Sequence, residues 1–217
     1  MRDNLLTISE IFYSIQGESS HAGLPCLFFR LSGCNLRCSY CDARYACDEP
    51  GEVMPIDALL AEAARHPGVL VEITGGEPLL QEGVYPLMEG LLAAGRTVLL
   101  ETNGSLPIDR VPAGVCRILD LKCPDSGMND WVEWANLSLL TPRDEIKFVV
   151  SSRRDYEWAR EILRMHGLGA RVNTILSPVT TRLAPAELAS WLLEDRLPAR
   201  LQLQLHTLLW PGKKRGA

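Results

Sequence analysis

Residues 26–47, Cys26-Leu27-Phe28-Phe29-Arg30-Leu31-Ser32-Gly33-Cys34-Asn35-Leu36-Arg37-Cys38-Ser39-Tyr40-Cys41-Asp42-Ala43-Arg44-Tyr45-Ala46-Cys47, decide how the whole chain is read. A β-rich apolar run, Cys26 to Leu31, ends in a turn containing Gly33 and Asn35, and Cys34, Cys38 and Cys41 follow at once. Three thiols on one loop make a metal site. Structural zinc wants four closed ligands, with Cys47 or His21 as the fourth. An iron-sulfur cluster on three cysteines instead leaves one iron open to a small molecule, which implies chemistry at the cluster. Cys26, Cys47, Cys116 and Cys123 share no ligand spacing and read as packing residues.

Outward from this loop the chain alternates short β-rich runs with longer helical ones. Strands are predicted near Cys26 to Leu31, Val69 to Ile73, Thr97 to Glu101, Arg117 to Leu121, Glu145 to Val150, Arg171 to Ile175 and Leu201 to Leu205, after an N-terminal stretch from Leu5 to Ile15. Ile56, Leu59, Leu60, Ala63 and Ala64 repeat at helical spacing until Pro67-Gly68. A second helix carries Tyr156, Ala159, Ile162 and Leu163 up to Gly167; a third starts at Pro185; Gly95 closes one that begins around Pro86. Such alternation predicts right-handed βαβ units and a parallel sheet. Six or seven units are too few for a closed eight-stranded barrel of about 250 residues, so an α/β partial barrel of about six parallel strands is expected.

In such folds the reactive residues gather on the loops that follow the strands. Here the cysteine loop, Gly75-Gly76-Glu77-Pro78, Glu101-Thr102-Asn103-Gly104, Lys122-Cys123-Pro124, Ser177-Pro178 and His206 all fall there. Gly212-Lys213-Lys214-Arg215-Gly216 reads as a solvated tail.

At 217 residues, 47% apolar and 23% charged, the chain is the size and composition of one globular domain, able to build a core without disulfides. A net charge of −5 has the wrong sign for tracking a phosphate backbone, so no nucleic-acid partner is expected. No apolar run approaches the length of a membrane span, and the N-terminus from Met1 has no secretion-signal pattern. Seven cysteines in such a chain point to a reducing, cytoplasmic setting.

The C-x3-C-x2-C loop with Tyr40 before its third cysteine, together with Gly75-Gly76-Glu77-Pro78, resembles the radical S-adenosylmethionine (SAM) superfamily. The resemblance implies a 4Fe-4S cluster on Cys34, Cys38 and Cys41 whose open iron chelates SAM and cleaves it to a 5′-deoxyadenosyl radical. It implies SAM contacts from Tyr40, Gly76, Glu77, Glu101, Asn103, Asp120, Leu121, Lys122, Ser177 and Pro178. Phe12-Tyr13-Ser14-Ile15-Gln16-Gly17-Glu18, the run Phe29 to Leu36, Asp120-Leu121-Lys122-Cys123-Pro124 and Leu203-Gln204-Leu205-His206 narrow it further. Together they resemble the 7-carboxy-7-deazaguanine synthase family over nearly the whole chain.

That family is a Mg-dependent homodimeric lyase that contracts a carboxytetrahydropterin ring, and the resemblance implies a flavodoxin-type or other electron donor. It also implies that Ile15, Gln16, Gly17, Glu18, Arg30, Thr74, His206 and Pro211 frame the pterin. A carboxylate, a flat ring and a guanidine-like donor edge require one cation and several acceptors, which Arg30 and Glu18 provide. The chain departs from the family at Ala43, two positions after the third cysteine, where a hydroxyl residue commonly ligates Mg. The competing readings are an activase that makes a glycyl radical on a partner protein, and a zinc-stabilised binding module. The chain is read as a single domain, 1–217, with an N-terminal substrate-binding extension and a short C-terminal tail.

Overall fold

The structure is a computed structural model and describes residues 4–216. Met1–Asp3, where the N-terminal reading began, and Ala217 of the tail lie outside the described residues. The strands are β1 (Leu5–Ile15), β2 (Pro25–Leu31), β3 (Glu52–Pro55), β4 (Leu70–Gly75), β5 (Val98–Thr102), β6 (Cys116–Asp120), β7 (Glu145–Val150), β8 (Asn173–Pro178) and β9 (Arg200–Leu201). They form one sheet in the order β3-β1-β2-β4-β5-β6-β7-β8-β9. From β2 onward every pairing is parallel, while β1 pairs antiparallel with both β2 and β3. The sheet order is open at β3 and β9, which makes a partial barrel.

The helices are α1 (Arg44–Asp48), α2 (Ile56–Ala64), α3 (Val84–Ala93), α4 (Asn136–Leu139), α5 (Arg153–His166), α6 (Pro185–Asp195) and α7 (Leu205–Leu209). The best marked is α5. Ser152 caps it by accepting from the Asp155 backbone N–H, and Gly167 ends it in the left-handed region at φ 59°. Its face of Tyr156, Ala159, Ile162 and Leu163 is buried against the sheet's outer side, which presents Leu27, Phe29, Ile73, Leu100, Leu119, Ile146 and Phe148. At roughly 25 cal/mol per Å² of apolar area removed from water, this layer is the main source of stability.

The long N-terminal stretch is a strand, and it covers the edge that the first parallel strand would otherwise expose. β1 and β7 have the expected limits, and the ends of β2, β4, β5, β6 and β8 lie within three residues of expectation, as ends commonly do. The larger departure is at the C-terminus. The expected strand Leu201 to Leu205 is only Arg200–Leu201, because the Leu205 backbone N–H donates to Gly17 O at 3.0 Å and turns the chain into α7. Nor does a long helix join β5 to β6. That loop is held by Asn136, whose amide donates to Gly104 O and Leu106 O while its oxygen accepts from Ile108 N.

Candidate active site

The cysteine loop leaves β2 at the end where the parallel strands terminate, and close backbone approach fixes it there. Gly33 N donates to Ala46 O and Glu77 N to Gly33 O, both at 2.8 Å. A Cβ at Gly76 would overlap the Gly33 carbonyl, so the Gly75-Gly76 pair lets β4's exit pass beneath the loop. Tyr40 donates its hydroxyl to Val149 O at 3.0 Å, and Arg44 donates to Cys38 O at 2.7 Å. Cys38 is buried, whereas Cys34 and Cys41 are half-buried. Burial pushes the Cys38 and Cys41 thiols up. Iron is the multivalent charge that would make thiolates stable there. Cys34 Sγ accepts from Leu36 N at 3.4 Å, within the reach expected of sulfur. Three free thiols on one loop, with an N–H donor on Cys34, fit a three-cysteine cluster.

Cys47 requires a correction. It is not a packing residue: its side chain lines the same cavity as Cys34, and burial, then Cys34 and Cys41, push its thiol up to about 12. His21 is not among the residues that line this cavity.

The cavity has a volume of about 640 Å³ and continues from the loop into the barrel. Its depth is lined by the inward residues of successive strands, Glu72 and Thr74 of β4, Glu101 of β5, Asp120 of β6 and Lys147 of β7. Lys147 is the hub. Its Nζ donates to Glu18 at 2.8 Å and to Glu101, and lies 3.3 Å from Asp120. Burial alone would lower the Lys147 pKa, but Glu101, Glu18 and Asp120 hold it well above the usual value. Asp120 shows the reciprocal effect, since Lys122 and Lys147 overcome its burial and keep it ionised. Asp120 Oδ1 is buried without a partner among the described residues, an acceptor left for a ligand. Glu72 has no cation in contact. Burial and then Glu101 raise its pKa well above the usual carboxylate value, and the Gln16 amide donates to its Oε2.

The β1–β2 loop supplies the floor. Glu18 N donates to Gln16 Oε1 at 2.7 Å, and Gln204 Nε2 donates to Glu18 Oε1 at 2.9 Å. Gly17 faces His206 so closely that a Cβ there would sit 3.0 Å from its Nδ1. Arg30 lies between Phe12 and Tyr45 and donates from Nε to Glu10 at 2.7 Å, so it is both an ion-pair residue and a cavity residue.

Of the expected site residues, Ile15, Gln16, Gly17, Glu18, Arg30, Cys34, Cys38, Tyr40, Cys41, Thr74, Gly76, Glu101, Asn103, Asp120, Lys122 and His206 line the one cavity. Glu77, Leu121, Ser177, Pro178 and Pro211 lie outside its wall. Glu77 is fully buried, accepting from Leu79 N, Thr102 Oγ1 and Asn103 N, so its carboxylate positions Asn103. Ser177 is buried with its hydroxyl unpartnered, and Val179, Thr180 and Thr181 line the cavity beyond it. His206 stands on α7, not on a strand. The tail is not simply solvated: Lys213 and Lys214 line the cavity mouth and Arg215 lies over Tyr45 and pairs with Glu49. At the expected Mg position, Ala43 lines the cavity without a side-chain oxygen, and Asp42 is the adjacent carboxylate.

Sequence reading missed Lys147 and Glu72. The signal was present, because each is a charge set between apolar neighbours in a central strand, Glu72 between Val71 and Ile73 and Lys147 between Ile146 and Phe148, where an unpaired charge is costly.

Residues 30–183 match the Radical SAM superfamily. Over 97% of this chain, the sequence is 47% identical to a 7-carboxy-7-deazaguanine synthase of Koribacter versatilis, all of which is covered. It is 48% identical to one of Chlorobaculum tepidum, over 97% of each chain. Among solved structures it shares its fold with QueE from Escherichia coli, at a TM-score of 0.75 and 24% identity over 92% of this chain and 94% of that one. It also resembles SuiB of Streptococcus suis bound to precursor peptide SuiA, at a TM-score of 0.60 and 15% identity over 81% of this chain and 47% of that one.

Proposed function

The chain belongs to the 7-carboxy-7-deazaguanine synthase family of the Radical SAM superfamily, and from that premise we propose that it converts 6-carboxy-5,6,7,8-tetrahydropterin to 7-carboxy-7-deazaguanine with loss of ammonia, toward queuosine and other deazapurines. The observation that carries this reading is a single cavity walled on one side by the three thiols and on the other by the charged inner face of the sheet. A 4Fe-4S cluster with SAM on its open iron supplies, when bound, a carbon-centred radical that removes hydrogen from a ring carbon.

The chain's own residues do the rest. Cys34, Cys38 and Cys41 hold the cluster. On the SAM side, Tyr40, Gly76, Glu101, Asn103, Asp120 and Lys122 carry the contacts, with Glu77 and Leu121 positioning them and Ser177-Pro178 backing the adenine end. Arg30 meets the substrate carboxylate, since Glu10 engages its Nε and the two Nη groups remain to donate. Glu18 and Thr74 offer acceptors to the pterin's donor edge, and Lys147 holds Glu18 against Glu101 by pairing with both. Gln16, Gly17, His206 and Pro211 close the cavity and exclude water, which strengthens each charged contact inside it.

Mg fits less firmly. Ala43 gives it no ligand, and no step is assigned to it; bound waters and Asp42 replace the missing hydroxyl. The chain acts as one domain, as a cytoplasmic homodimer fed by a flavodoxin-type or other electron donor. Its free cysteines suit a reducing compartment. No helix among the described residues is long and apolar enough to cross a membrane.

The test is anaerobic incubation of cluster-reconstituted protein with SAM, reductant and 6-carboxytetrahydropterin, followed by mass analysis. The deazapurine is expected. Uncoupled SAM cleavage without it would retain the superfamily and reject this substrate; stoichiometric zinc with no iron or sulfide would reject both.

A further inference from the structure

At the opposite end of the barrel from the cysteine loop, three side chains of different chemistry converge. His21 comes from the β1–β2 loop, Cys116 opens β6 and Glu145 opens the adjacent β7. One ligand atom from each lies within 4.8 Å of the other two. We propose that His21, Cys116 and Glu145 form a zinc site that clips the β1–β2 loop to the barrel floor.

The donor set selects the metal. One imidazole nitrogen, one thiolate sulfur and one carboxylate oxygen suit borderline-soft zinc, and the sulfur disfavours Mg or Ca, which take oxygen. Three protein ligands leave a fourth tetrahedral position for water. Cys116 and Glu145 are rigidly placed, because they sit on hydrogen-bonded neighbouring strands whose register pairs Ile118 with Glu145. His21 is half-buried and lies on the solvent side, which gives the ion a way in.

The local electrostatics call for a cation. Glu145 is only 1% exposed. Its carboxylate accepts from Ser20 N at 3.0 and 3.1 Å and from Ser20 Oγ, but among the described residues no Lys or Arg pairs with it. Its buried neighbours are compensated differently: Asp144 has Arg117, and Asp120 has Lys122 and Lys147. A buried carboxylate is tolerated when it is paired or coordinates a metal. Cys116 Sγ now lies 2.9 Å from Arg143 O, to which its thiol donates; on zinc binding that proton leaves to solvent and the sulfur turns to the ion. Because Ser20 and His21 follow Gln16-Gly17-Glu18 with only Ser19 between, the clip would order the loop that floors the active cavity. The binding itself does not depend on which substrate that cavity takes.

The experiment uses cluster-loaded protein, whose Cys34, Cys38 and Cys41 are already occupied by iron. It is dialysed anaerobically against micromolar zinc, then assayed for metals and examined by zinc X-ray absorption. The expected result is one zinc per chain in addition to the cluster iron, with a single sulfur neighbour at about 2.3 Å and the rest nitrogen or oxygen at about 2.0–2.2 Å. His21→Ala should weaken zinc binding by roughly 100-fold or more, since even losing an outer-shell partner costs about 10–100-fold. Cys116→Ser should remove the sulfur from the spectrum. Should that buried variant fail to fold, the loop variant His21→Ala decides alone. No zinc beyond trace, a shell of three sulfurs, or affinity unchanged in His21→Ala would overturn the proposal.

Discussion

Along β7 the side chains of Ile146, Phe148 and Val150 point outward into the apolar layer beneath α5, whereas Glu145, Lys147 and Val149 point into the barrel. The same division runs through β4, with Val71 and Ile73 outward and Glu72 and Thr74 inward. It recurs in β6, where Leu119 packs outward and Asp120 faces in. Most of these residues on both faces are buried, yet the two faces are stabilised by different physics. Outside, apolar area removed from water is enough, and contacts are non-directional. Inside, each charge survives only because a specific opposite charge or donor meets it. One face therefore depends on volume, and the other on pairing and pH.

Neighbouring substitutions in β7 give the sharpest separation. Phe148→Ala should cost about 3–5 kcal/mol in urea unfolding, independent of pH between 5 and 8, because it leaves a cavity and no charge. Lys147→Met should cost a similar amount at pH 8, about 3–5 kcal/mol, because it strands buried carboxylates. Without Lys147, Asp120 keeps its burial but loses one of the two cations that hold its pKa down, so its folded-state pKa rises. The lost stability should then return as pH falls through the carboxylate range. Equal pH profiles for the two variants would break the distinction between the faces.

Arg30→Ala should follow in size. Losing the cation for a buried substrate carboxylate costs at least about 2 kcal/mol, roughly 30-fold in KM, while the cluster's absorbance stays intact. An unchanged KM would remove Arg30 from the substrate pocket. Glu18→Gln should weaken binding less than Glu18→Ala, because the amide keeps one acceptor.

A smaller effect is expected at the cavity rim. Replacing a fixed ligand by water costs up to about 2 kcal/mol of immobilisation, so Ala43→Thr should strengthen Mg stimulation of the steady-state rate. Tight Mg dependence unaffected by Ala43→Thr or Asp42→Asn would show that other groups hold the metal.

The smallest effect concerns Glu72. Its folded pKa is raised by burial and by Glu101, so its contribution favours folding at low pH and is lost as pH rises above the usual carboxylate value. Glu72→Gln should therefore raise Tm more at pH 8 than at pH 5, on a scale where 1 kcal/mol moves Tm by about 2–4 °C. A larger gain at pH 5 would contradict a raised Glu72 pKa.

The outer face was legible because hydrophobic periodicity encodes it locally. Leu59 and Ala63 of α2, the cap at Ser152 and the αL stop at Gly167 can each be read within a few residues. The cysteine loop was legible for the same reason, its ligands being eight residues apart at most. Lys147 with Glu18, 129 positions away, was not, since only the barrel's curvature brings their side chains within 2.8 Å. Similarly, the helical turn at His206 depends on Gly17 O, a partner far upstream that local propensity does not reveal. Cys47 looked inert because spacing to the other cysteines was the only cue, whereas α1 folds it back against Cys34.

The central claim is that a radical made at the cysteine loop reaches a substrate held on the inner face of the same sheet. Deuterium at the ring carbons of 6-carboxytetrahydropterin tests it directly. Mass analysis after turnover should show deuterium in the 5′-carbon of the deoxyadenosyl group, in 5′-deoxyadenosine or regenerated SAM, alongside the deazapurine. An unlabelled deoxyadenosyl group, with product still formed, would contradict hydrogen transfer across this cavity.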